Sequence, residues 1–173
     1  NDYSPDEQCV EVQHRPDTGT PIKNQSKGER LVALSDQVCD LLDDWLSTQR
    51  PDVTDEYGRT PLLASRQGRT QKSTLRTYVY RWTRPCIYDD ECPHDRDPDE
   101  CEAMSRDTAS KCPSSVSPHA IRRGSITHSL SNDMPDKVVS DRANVSQRVL
   151  DKHYDRRTDR EKMEQRREYL DNL

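Results

Sequence analysis

The sequence predicts an α+β protein, mainly helical, with a small antiparallel sheet at its N-terminal side. Apolar and polar residues alternate from Gln8 to His14 and again from Arg30 to Leu34 (RLVAL), which is the strand period. Apolar residues recur at the helical period from Asp36 to Arg50 and from Gln71 to Thr83, and from Ser117 onward a series of capped helical patterns follows.

Composition sets the limits. The 173 residues suit one domain, and with 29% hydrophobic residues, 34% charged residues and no Phe the core must be thin and stability marginal. Asp outnumbers Glu by 22 to 10 and Arg outnumbers Lys by 20 to 7, a short-chained acidic surface of the kind expected in a salt-adapted, halophilic protein. The net charge of −5 disfavours non-specific nucleic-acid binding in dilute salt, although charge acts locally and a basic face can persist on an acidic protein. No apolar run approaches a membrane span, and the start NDYSPDEQ has neither the basic residues nor the apolar middle of a signal peptide, so a cytoplasmic location without membrane contact is expected. The chain begins without Met just before a strand-like run and is expected to be part of a longer protein.

In order along the chain, the two strand-like runs should pair as a hairpin. The link between them holds Pro16, Gly19, Pro21 and Gly28 as breakers, with Lys23 and Lys27 near its tip. Ser35 caps a helix from about Asp36 to Arg50, with Val38, Leu41, Leu42, Trp45 and Leu46 as the inward stripe and Pro51 as the stop. Cys9 and Cys39 read as small core residues. Pro61–Ala64 is a short apolar segment. The helix from about Gln71 to Thr83 turns Leu75, Tyr78, Val79 and Trp82 inward and Lys72, Arg76 and Arg81 outward, a basic stripe that is solvated or, on a DNA-binding protein, meets phosphate.

Pro85–Pro113 loses all periodicity, and a compact domain rarely carries so long a loop without a staple. Four of the six cysteines fall here: Cys86, Cys92, Cys101 and Cys112, with His94 as an alternative ligand. In a reducing compartment this grouping suggests structural Zn2+ over free or disulfide-bonded cysteines, although the spacing lacks tight Cys-x-x-Cys pairs. Asp95, Asp97 and Asp99 imitate the start of a calcium loop, but Glu100 stands where Gly is required and Arg106 where the closing Glu belongs, which excludes that reading.

Four helices should follow: from Ser117 and Pro118 to about Leu130, from Pro135 to about Arg142, from Ser146 to Tyr154, and a charged terminal helix capped by Thr158 and Glu161. His119 and Arg122 then share one face of the first of these, and Tyr154 closes the third. Each alone has an ordinary reading: a structural His, a surface Arg, a half-buried Tyr. No Gly-x-Ser-x-Gly elbow supports a hydrolase built on Ser125, and the Asn24 and Asn144 sequons read as chance in a cytoplasmic chain.

Together the residues are more informative. SPHAIRRGSITHSL resembles the His-x-x-Arg box of tyrosine recombinases, the phage integrase family, and VLDKHYDRR resembles the segment that bears its nucleophile; the similarity extends back through SDQVCDLLDDWL and the strand pair, over nearly the whole chain, and has a haloarchaeal character. The resemblance implies an integrase-type catalytic domain over 1–173, its C-terminal part, with the 85–113 segment as a zinc-binding insertion. It further implies DNA recombination and integration: double-stranded DNA as substrate, cleavage through a covalent 3′-phosphotyrosine without metal or nucleotide energy, and a homotetramer on DNA. Tyr154 would be the nucleophile, Arg122 would hold the scissile phosphate, His119 would hydrogen-bond it or assist proton transfer, and Lys23, with Lys27 as its rival, would protonate the leaving 5′-oxygen. The terminal helix from Thr158 would pass between subunits. Asn144 or Val145, in RANVS, stands where the family carries a second His or Trp; Asn144 can donate a hydrogen bond but cannot exchange a proton. The family's first catalytic Arg would lie upstream of Asn1, so this piece alone is expected to be inactive. A catalytically lapsed, zinc-stapled DNA-binding or regulatory remnant accounts for the same departures.

Overall fold

The alternating runs pair as the sequence predicts. In the computed structural model, which describes residues 2–89, 91–155, 157–167 and 169–170, strand β2 (Cys9–Val12) lies antiparallel to β3 (Arg30–Ala33), with Cys9 opposite Ala33 and Val12 opposite Arg30. A short β1 (Tyr3–Ser4) adds a third strand beyond β2. Gln8 takes a left-handed backbone, φ 49°, ahead of the strand rather than within it. The chain divides into two compact units, Asn1–Lys72 and Ser73–Leu173.

In the first unit the predicted helix ends before Pro51 as expected but changes gauge on the way. It is α-helical over Asp36–Asp44 (α1) and a wider π turn over Trp45–Gln49. Ser47 and Thr48 donate their hydroxyls back to the carbonyls of Asp43 and Asp44, at 2.8 and 2.7 Å, and such back-bonding competes with the α ladder. Cys9 and Cys39 are buried core residues. The expected inward stripe is only partly so: Leu42, Trp45 and Leu46 are half-buried, while Val38 and Leu41 are exposed, Leu41 by 66%. A sheet of three short strands covers only part of a helix face. The Trp45 indole N–H donates to the Leu62 carbonyl at 2.8 Å, tying the helix end to the segment before β4 (Ala64–Ser65) and β5 (Gly68–Arg69). Gly68, at φ 105°, makes their turn in a region that side chains disfavour.

One carboxylate organises the loops of this unit. Asp55 accepts from the backbone N–H groups of Tyr57 and Arg59 at 3.0 and 2.9 Å, from Arg59 Nε at 3.0 Å, and from the Arg69 guanidinium. Arg59 also donates to the Thr18 hydroxyl at 2.8 Å, which anchors the β2–β3 link. Burial pushes the Asp55 carboxyl up, but these donors outweigh it and hold the group well below the usual carboxylate range.

The second unit comprises α2 (Lys72–Trp82, almost wholly within it), α3 (Pro118–Ser131), α4 (Asp136–Ala143), α5 (Gln147–His153) and α6 (Asp159–Arg167). Its core is a cluster of Ile126 and Leu130 from α3, Val139 from α4, Leu150 from α5, and Tyr154, with Met134, Ala143 and Val145 packed against it. The inward face expected for α2 is corrected in part: Leu75 and Val79 are half-buried, but Tyr78 and Trp82 are exposed, Trp82 by 57%, whereas Thr77 and Tyr80, outside the predicted stripe, and Arg81, expected outward, are half-buried. The side with Thr77 and Tyr80 borders the insertion, lining a cleft with Arg106 and Ala109. The insertion contains three 3-10 turns, Pro85–Ile87, Glu102–Met104 and Ala109–Lys111.

Candidate functional site

Ser117 starts α3 as the sequence predicts. Its backbone is extended and its hydroxyl accepts the Ala120 N–H at 3.2 Å, while Pro118 takes the first helical position, where its missing N–H costs nothing. The helix period then puts His119, Arg122, Ile126 and Leu130 on one stripe. Its upper end is polar and exposed, and its lower end is buried in the core.

Arg122 does not hang free. Its guanidinium donates to the Ala143 carbonyl, at the C-terminal end of α4. The next residue, Asn144, closes α4 in the left-handed region (φ 49°, ψ 55°), a conformation Asn tolerates better than most residues, and its N–H donates to the Asp141 carbonyl at 3.2 Å. Ser140 secures the turn: its hydroxyl donates to the Val145 carbonyl at 2.6 Å and its carbonyl accepts the Val145 N–H at 3.0 Å. Arg122 and the residue preceding Asn144 are therefore in direct contact, and His119 lies one helical turn before Arg122.

Tyr154 lies just past the end of α5, its N–H donating to the Leu150 carbonyl at 2.9 Å, and is only 8% exposed. It packs in the cluster with Ile126 and Leu130, the lower end of the stripe that carries His119 and Arg122. Lys23 and Lys27 belong to the first unit, both exposed on the β2–β3 link, Lys27 within a 3-10 turn.

A network that sequence reasoning missed fixes the chain after Tyr154. Asp155, with its side chain 2% exposed, accepts from Arg157 Nε at 2.8 Å and pairs with Lys162 at 3.0 Å. Arg157 also reaches Asp136, at the start of α4, and Gln165, in α6, both at 2.5 Å. The Arg157 hydrogen bond, reinforced by Lys162 against the opposing effect of burial, holds the Asp155 carboxyl well below its ordinary range. The sequence shows Asp155, Arg157 and Lys162 only as charged residues after Tyr154; their approach to Asp136 requires the α4–α5 turn. At α6 the capping box forms as read: Thr158 Oγ1 accepts the Glu161 N–H at 3.2 Å and Glu161 accepts the Thr158 N–H at 2.6 Å. Met163, Tyr169 and Leu170, expected as anchors, are exposed.

The insertion is stapled by its own groups. Thr83 Oγ1 accepts the Val116 N–H at 2.8 Å, closing the neck of the loop. Arg84, 2% exposed, donates to the carbonyls of Ala103 and, at 3.1 Å, Arg81, beside the buried Ala103 and Ala109. His94 Nε2 meets Ser114 Oγ at 2.9 Å, and Lys111 pairs with Glu102 at 2.5 Å. Cys86, Cys92, Cys101 and Cys112 are half-buried free thiols, and Cys86 Sγ lies 4.0 Å from the Met104 sulfur. As placed, these thiols do not make one tetrahedral shell. Among the described residues, the group of three or more His, Cys, Asp or Glu side chains whose ligand atoms fall within 4.8 Å of one another is Asp136, Asp151 and Asp155, and there Arg157 and Lys162 already supply the positive charge.

A shallow groove of about 550 Å³ runs along a neighbouring face of α3, between Arg123, Gly124, Thr127 and His128 and the end of α5 at His153. No helix among the described residues is long and apolar enough to cross a membrane. Comparison with known protein families, curated proteins and solved structures returned no match.

Proposed function

We propose that this chain carries the catalytic residues of a site-specific DNA recombinase that cleaves and rejoins strands through a 3′-phosphotyrosine. The observation that supports it is one stripe of α3, where His119 and Arg122 stand above the Ile126 and Leu130 pair on which Tyr154 packs, with Arg122 bound to the residue before Asn144. These are among the groups such a reaction needs. The Tyr154 oxygen bonds to phosphorus, the bond from phosphorus to the 5′-oxygen breaks, and the departing oxygen takes a proton from a general acid. A phenol with an ordinary pKa of about 10 must lose its proton to attack at neutral pH, and His119 is the proposed acceptor. The forked donors of Arg122 match two non-bridging phosphate oxygens, where negative charge accumulates. Asn144 contributes a hydrogen bond only, and tetrameric assembly on DNA belongs to the same proposal.

The burial of Tyr154 favours a second reading, a lapsed integrase that retains DNA binding. One experiment separates them. Protein from the complete open reading frame is incubated with pooled genomic fragments of its source, denatured, and digested to release nucleotide-linked peptides. The recombinase reading expects a nucleotide on the Tyr154 peptide, lost in Tyr154→Phe. No adduct on that peptide, or an equal adduct in the Phe variant, overturns it.

A further inference from the structure

The insertion and the outward side of α2 enclose a polar cleft of about 300 Å³ that no step above uses. Arg76 and Tyr80 reach it from α2, and Arg106, Asp107 and Ser110 from the insertion, with the buried Ala109 at its floor. The two guanidinium groups come from segments thirty residues apart and are brought to one cleft by the fold. Among the described residues neither has an ion pair or side-chain hydrogen bond, whereas Arg59, Arg69, Arg84, Arg122 and Arg157 are all engaged. Two fixed positive charges beside one carboxylate leave the cleft net positive on a chain whose total charge is −5. The wall that carries Arg106 is held in place: the Thr83 and Val116 neck and the Arg84 bond to Ala103 tie the insertion to the end of α2. The tyrosine and serine hydroxyls add neutral donors. Two guanidinium groups that line one cleft, on a wall held in place, suit a tetrahedral oxyanion, because each fork can donate to two oxygens of a phosphate.

We propose that this cleft binds a backbone phosphate of duplex DNA, as a contact separate from the Arg122 site. This rests on the reading of the chain as a DNA recombinase. The contact carries no sequence information; it adds affinity and register, and it gives the insertion a role that sequence alone does not suggest.

The test measures binding of the 173-residue chain to a random-sequence duplex of about 40 base pairs between about 50 and 200 mM salt. Arg76→Gln with Arg106→Gln is expected to weaken binding about tenfold at the lower salt and to reduce the slope of log affinity against log salt by about one to two units. Asp107→Asn, which removes the opposing charge, is expected to tighten binding. Circular dichroism and urea unfolding verify that each variant is folded, and Arg123→Gln, outside the cleft, serves as the control for a general loss of charge. Inorganic phosphate is titrated in parallel, read by the arginine Nε–H resonances. If the double variant binds DNA as the wild type does, or no more weakly than Arg123→Gln, the proposal is overturned, and phosphate perturbing Arg76 and Arg106 under those conditions would identify a free-phosphate site instead. Covalent adduct at Tyr154 is scored separately in the complete protein. Cleft-dependent binding without an adduct sinks the recombinase reading alone, whereas an adduct with cleft-independent binding sinks this inference alone.

Discussion

Arg122 shows how much one side chain can depend on its acceptor. The Ala143 carbonyl holds its guanidinium within the fold, and on the recombinase reading proposed above this would remove part of the entropy cost of binding a phosphate. On that reading, Arg122→Lys in the complete protein keeps the charge but loses the fork and is expected to lower the rate of adduct formation about a hundredfold, measured under single-turnover conditions. Arg84 is the contrasting case, an arginine with a structural duty. Arg84→Ala removes the donor from the Ala103 carbonyl and leaves a cavity, so a stability loss of about 2–4 kcal/mol is expected in urea unfolding, with faster amide exchange across 85–113. The opposite roles of two arginines in one unit follow from burial and partners, not from residue type.

At the level of elements, α3 is the part whose local chemistry most directly supports the site. Its first turn carries His119 and Arg122, so fraying there displaces both. Ser117→Ala removes the acceptor for the Ala120 N–H and is expected to cost about 1 kcal/mol, whereas Ser117→Asp, which keeps an acceptor and places negative charge at the helix start, should retain stability in thermal unfolding. The terminal helix is tied within its own chain by Arg157, Lys162 and Gln165, while Met163, Tyr169 and Leu170 remain outside. The insertion, without an α-helix or strand among its described residues, is held by a few hydrogen bonds and two buried alanines.

For the molecule as a whole, the thin core puts unusual weight on buried carboxylates. Asp55 in the first unit and Asp155 in the second both have folded-state pKa values below their unfolded ones. Each therefore contributes stability that is fully present above the unfolded carboxylate value of about 3.9 and is lost as pH falls through the lower folded value. Stability is expected to decline below about pH 5, and Asp55→Asn and Asp155→Asn should each make the acid decline shallower in urea midpoints taken from pH 6 to pH 3, at the expense of stability at pH 6. Salt acts less on these pairs than on exposed ones such as Lys137 and Asp141, because the Asp55 and Asp155 side chains are only 6% and 2% exposed.

Local patterns were enough for the α-helices, for β2 and β3 and for the polar end of the site, but not for β1, β4, β5 or the π turn. Alternation placed β2 and β3, capping chemistry placed the starts of α3 and α6, and helical spacing put His119 and Arg122 on one face, because all of these are set by neighbours within a few residues in the chain. The inward faces of α1 and α2 were misjudged in part, since which apolar residues are covered depends on how much sheet or loop lies against the helix. Arg84, Asp155 and Arg157 read as ordinary charged residues and became buried anchors only once distant carbonyls and carboxylates approached them. The shared cleft lined by Arg76 and Arg106 is of the same kind. The sequence by itself determined what the helices are and which residues they present; only the tertiary structure decided which charges are buried, paired or left open, because desolvation and pairing depend on groups that chain order keeps far apart.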